Sequence, residues 1–169
     1  MAIFEEGIHE ESMKPYGWFE IKHLDSNGNL IEERKIKNLI VNVGMFYVAG
    51  LMDGSITTDV SAMGIGTGTT AAAATDTSLE TLVMSLQTGT LSLVTTSVTD
   101  DTYQQVNTFN FTASYAITEA GIFSTTTTTS YTTAPPTLGT TTMIAHQVFA
   151  AINVSSGDSL QITWKIQIS

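Results

Sequence analysis

Near its end the chain alternates without a break: Leu160, Ile162, Trp164, Ile166 and Ile168 face one way, and Gln161, Thr163, Lys165, Gln167 and Ser169 the other. A period of two over ten positions belongs to a strand with one core face and one wet face. Such a face has to be covered by a second layer, so the chain must build a sheet and something to pack on it. Further strand-like runs span Gly17 to Leu24, Asn29 to Lys37, Val60 to Gly66, Gly89 to Val98, Tyr103 to Tyr115, Ile117 to Ser124 and Met143 to Ala151. Many short strands separated by turn signals point to a sandwich or a barrel. Ser156-Gly157-Asp158 is a turn, which predicts that Ala145 to Asn153 pairs with the last strand as a hairpin.

Between the first two runs stands Asp25-Ser26-Asn27-Gly28. Asn-Gly is the preferred centre of a type I′ turn, so a hairpin is expected over 17–37. Asp25, Asn27 and Asn29 also imitate the start of a calcium loop, but Leu30 replaces the required glycine and Ile36 the closing glutamate. Asn38 then reads as the N-cap of one helix, about Leu39 to Met52, with Leu39, Ile40, Val43, Phe46, Tyr47 and Leu51 forming its apolar stripe and Asp53-Gly54 its stop. The expected fold is mostly β: an antiparallel sandwich of jelly-roll type over 55–169, with the helix 39–52 packed on it. Residues 1–16 read as an N-terminal arm outside a single domain of 17–169. Ser124 to Thr142, with its threonine run and Pro135-Pro136, reads as a long hairpin or loop.

Composition narrows the function. Charged residues are only 13% of the 169, and threonine supplies 29 positions. There is no cysteine, and His9, His23 and His146 are far apart, so neither a disulfide scaffold nor a metal cofactor is expected. Lys14, Lys22, Arg34, Lys35, Lys37 and Lys165 are the whole basic complement, against a net charge of -10. From Asn38 to Trp164 there is no cation to neutralise a phosphate, which argues against nucleic acid as a partner. No run approaches the ~20 apolar residues of a membrane helix, and no basic segment leading into an apolar one suggests a secretion signal.

The chemical motifs are weak. Gly64-Ile65-Gly66-Thr67-Gly68-Thr69-Thr70 follows a strand and precedes a helix-capable stretch, with Thr75 or Asp76 placed to cap a helix over Thr77 to Met84. A phosphate-binding loop would need a lysine there, and a dinucleotide loop a glycine at Thr69. His146 in an alternating strand reads as a satisfied core histidine. Asp100-Asp101 reads as a turn, although with Glu119 it supplies the carboxylates a glycosidase would need. Catalysis is not expected.

Four stretches taken together carry a resemblance: Asn38-Leu39-Ile40-Val41-Asn42-Val43-Gly44; Gly64 through Leu79; Ile117-Thr118-Glu119-Ala120-Gly121-Ile122-Phe123; and Phe149 through Ser169. In that order, over residues 38–169, the chain resembles small structural proteins of tailed bacteriophage virions. The resemblance implies a non-enzymatic, β-rich virion component assembled in the host bacterial cytoplasm, with no catalytic, cofactor or metal residues to carry over. The leading expectation is a capsid decoration or cementing protein on the head surface, a homo-oligomer with a trimer favoured, whose partner is the major capsid protein. A collar, neck, tail or baseplate and fibre-attachment component is the runner-up, with a tail or collar protein as partner. A carbohydrate-binding sandwich for host surface sugars is the alternative of another class; Trp18 and Tyr131 would be its ring platforms. The segments outside the resemblance are the natural contact regions. Candidate subunit-contact residues are Ile3, Phe4, Ile8 and Met13 on the acidic arm and Trp18, Lys35 and Lys37 on the hairpin.

Overall fold

A computed structural model describes residues 15–125 and 141–168. Two five-stranded antiparallel sheets face each other. The first has the order β2 (Leu30–Lys37), β1 (Pro15–Leu24), β10 (Ser159–Ile168), β7 (Thr102–Asn110), β6 (Thr90–Val94). The second runs β3 (Leu39–Ile40), β9 (Met143–Val154), β8 (Tyr115–Phe123), β4 (Ala62–Gly66), β5 (Gln87–Thr88). One helix, α1 (Asn42–Asp53), follows β3. The expected antiparallel sandwich with a single helix is the observed architecture, but its bounds are wider than 55–169: β1 and β2 of the hairpin belong to the first sheet, with β1 paired to β10, and β3 belongs to the second. None of the helices among the described residues is long and apolar enough to cross a membrane.

The alternation in the last strand holds: Leu160, Ile162 and Trp164 are fully buried and Ile166 nearly so. Opposite Trp164 on β1 lies Phe19, stacked on the indole with centroids 4.5 Å apart. Phe109, Ile117, Ile122 and Ile152 complete the inter-sheet core.

Several local expectations are corrected. β1 begins at Pro15, inside the stretch read as an arm. The 17–37 hairpin forms, but Asn27 does not take positive φ; only Gly28 does, at 83°. Gly28 N–H donates to Asp25 O and Asp25 N–H to Asn29 O, a type I turn closed by a left-handed glycine rather than a type I′ turn. The reason is the Asp25 carboxylate, which accepts from Asn27 N–H and Asn29 N–H and holds the wider loop. The run read as Tyr103 to Tyr115 is broken at residues 111–114, where the chain crosses from one sheet to the other.

The expected pairing of Ala145 to Asn153 with the last strand does not occur: β9 pairs with β8 and β3, and β10 with β1 and β7. The turn at 155–158 is a corner between sheets. It is fixed by Gly157 N–H to Phe111 O, Phe111 N–H to Asp158 O, and a 3.0 Å contact of the buried His23 ring with Asp158.

Asn38 is not a helix cap. Its side-chain oxygen, turned to face two donors, accepts from Trp164 Nε1 at 2.7 Å and Trp18 N at 3.2 Å, and Leu39–Ile40 pair with β9 before α1 starts. The helix buries Gly44, Tyr47 and Gly50 and leaves Phe46 and Leu51, expected in the core, exposed. The cause is close approach: a Cβ on Gly44 would stand 2.2 Å from Ile144 O, so the glycine edge is the one that can lie against β9. Leu39, Val43 and Phe149 are only half-buried.

No helix forms over 77–84. Thr67 N–H donates to Thr81 O and Val83 N–H to Ile65 O, so this segment is bound to β4 in irregular form. The Thr-rich tract is anchored at its ends by Ser124 N–H to Thr142 O, and its middle, 126–140, lies outside the described residues.

Candidate functional site: a lysine-aromatic sheet face

The outer face of the first sheet gathers residues from three strands. Register places Trp18 beside Lys37 on β2 and Lys165 on β10, Glu20 beside Lys35, and Lys22 beside Glu33. Because alternate residues share a face, Tyr16, Trp18, Glu20 and Lys22 line up along β1. Lys35 Nζ lies 5.4 Å and Lys165 Nζ 6.0 Å from the Trp18 ring centre, and Lys37 Nζ 5.6 Å from that of Tyr16. The two rings are 5.5 Å apart. At these distances each ammonium is attracted by the negative ring face. Lysine stems roof the indole, leaving Trp18 7% exposed while Tyr16 is 44% exposed. Lys35 also meets Glu20 at 3.5 Å, and Lys22 meets Glu33 at 3.6 Å. These exposed pairs are weak and leave the lysines free to exchange partners.

Trp18, Lys35 and Lys37, picked from sequence as contact residues, are thus brought together. Lys165 and Tyr16 join them; the signal for Lys165 was its place on the wet face of an alternating strand. Arg34 points the other way, ion-paired with Glu32 and donating to Ala150 O and Ala151 O. Ile3, Phe4, Ile8 and Met13 lie outside the described residues.

A second cluster is buried. Glu119 on β8 is completely enclosed and accepts from the N–H groups of Gly68, Glu80 and Thr81 at 2.8–3.0 Å. His146 on β9 places Nε2 3.2 Å from Glu119 and Nδ1 2.7 Å from Asp76. Burial alone would raise the Glu119 pKa, but the bonds from His146 and the three N–H groups more than offset it and hold the group low. For His146 burial disfavours the cation, yet the two carboxylates win and its pKa is raised. The glycine-rich stretch does cradle an anion, and that anion is the protein's own: Gly68 N–H serves Glu119, while Thr69 and Thr70 N–H serve Glu80. A Cβ at Gly66 would stand 2.3 Å from Glu119 Oε1, and one at Gly68 2.6 Å, so the loop needs those glycines to close on the carboxylate.

Both imidazole nitrogens are taken by carboxylates, so this triad holds a proton and offers neither nitrogen to a substrate. Asp101, far in topology from Glu119, accepts from Thr96, Ser97 and Val98 N–H within its own turn. Among the described residues, no group of three or more His, Asp or Glu side chains is arranged to hold a metal ion. Comparison with protein-family models, curated proteins and solved structures returned no match.

Proposed function

We propose that the chain is a non-enzymatic structural protein of a tailed-phage virion, a capsid decoration protein that docks as a symmetric homo-oligomer, a trimer being favoured. The observation that carries the reading is the sheet face just described: every lysine among the described residues lies on it, in a chain of net charge -10. A cationic, aromatic patch on an otherwise acidic body suits an acidic protein surface, and on a lattice many modest contacts add by multivalency.

The carbohydrate alternative has less support: of its two ring platforms, Trp18 is roofed by lysines and Tyr131 lies outside the described residues. A collar or tail site would use the same face and is separated by imaging. The test is the Lys35→Glu/Lys37→Glu double variant, assayed for binding to phage heads lacking this protein. Binding should fall by about tenfold or more at low salt, with a flatter salt dependence. Undiminished binding would remove the face from the contact.

A further inference from the structure

We propose that the apolar groove beside α1 receives residues 1–14 of a neighbouring copy of this chain; the inference rests on the oligomeric reading above. The groove has two parts. One, of about 350 Å³, has Pro15 at its rim and Met45, Val48, Met52 and Ile168 as walls. The other, of about 380 Å³, shares Val48 and Ile168 and continues to Leu91 and Leu93 on β6. Met52 is 75% exposed, Leu93 63% and Met45 45%. Apolar side chains gathered like this mark an interaction surface rather than scattered surface hydrophobes. The glycine edge of α1 is the source of the feature. By lying against β9 it turns the bulky residues of the helix outward, toward the inner side of β6 that the second sheet leaves uncovered.

The occupant is indicated by the segment that ends at the groove's rim. Residues 1–14 carry the apolar Ile3, Phe4, Ile8 and Met13 interspersed with Glu5, Glu6, Glu10 and Glu11, a pattern with one set to bury and one that suits the water side. Fourteen extended residues reach roughly 45 Å, enough to cross onto a neighbour. The neighbour is taken as the acceptor because the chain is read above as a homo-oligomer, and Pro15, in strand register with Ile168, starts the segment at the groove. Each copy then contributes one arm and one groove, which reciprocal exchange in a pair or a closed ring would satisfy.

The sequence has no cysteine, so crosslinking is clean. Full-length Ile8→Cys and Met52→Cys variants of different tag mass, mixed and mildly oxidised, should yield the mixed disulfide dimer above either homodimer. The double variant should give covalent oligomers. Full-length Ile3→Asp/Ile8→Asp should sediment as a monomer where the unaltered chain is an oligomer. An intrachain-linked monomer from the double variant would place the arm in its own groove and overturn the proposal, as would no mixed dimer, or an oligomer that survives the aspartates. No phage particle takes part, so failure here leaves the virion reading to its own test, and failure of that reading leaves arm exchange standing.

Discussion

Glu119 is the residue on which most of one sheet's local order converges, since it joins β8, the glycine loop, the 80–81 segment and His146 through one carboxylate. Glu119→Gln replaces an acceptor with a donor that faces donors, and should cost about 1–3 kcal/mol in urea unfolding. The His146 pKa is raised above its ordinary 6.5, so its contribution is complete below about pH 6.5 and lost as pH rises through the folded value. Glu119 lies below its ordinary 4.5, so its contribution is complete above about pH 4.5 and lost as pH falls through its lower folded value. The melting-temperature gap between the unaltered chain and His146→Gln should therefore be widest between those limits and narrow on either side. A gap that widens above pH 8 would contradict a protonated His146. Trp164, stacked on Phe19 and bonded to Asn38, has the opposite character: its cost is packing. Trp164→Ala should lose about 3–5 kcal/mol, and a near-neutral result would mean that the indole is not in a packed core.

At the scale of elements, what could be read in advance followed the range of the interactions involved. The period of β10 is local, and Leu160, Ile162, Trp164 and Ile166 are buried as their alternation predicts. The helix start was misread because the Asn38 acceptor is claimed by Trp164, a residue 126 positions away that no N-cap rule contains. Its buried face is not the one that residue size points to, because Gly44 sets how closely α1 approaches β9 and Gly50 leaves room for Ile56. The pairing of β9 with β10 fails for a different reason: both alternate, and a four-residue connection such as 155–158 joins a hairpin or a sheet-to-sheet corner equally well. In the face of the site, Trp18, Lys35 and Lys37 were legible because a hairpin fixes its own register, while the Asp76–His146–Glu119 contact joins three distant segments and left no local trace. Gly44→Ala tests the close approach. Its methyl would meet Ile144 O, so α1 must shift, at a cost of about 1–3 kcal/mol in urea unfolding; an unchanged midpoint would show that the helix is free to move.

For the whole molecule, two sheets, a buried ion cluster and a corner at His23–Asp158 give a body held by its own side chains, with Asp25 and Asp101 already occupied by backbone N–H groups. Chelator should therefore leave the melting temperature unchanged, and a fall of several degrees would show a bound cation. That body presents a lysine-aromatic face on one sheet and an apolar groove beside its helix, surfaces suited to two kinds of neighbour. The central claim is that those neighbours are in a virion. Electron microscopy of phage particles labelled with gold-tagged antibody to this chain tests it most directly. The account predicts regular label over the head surface, lost from particles whose copy carries Lys35→Glu/Lys37→Glu. Label confined to the tail would move the protein to the collar or tail, and particles without label would contradict the claim.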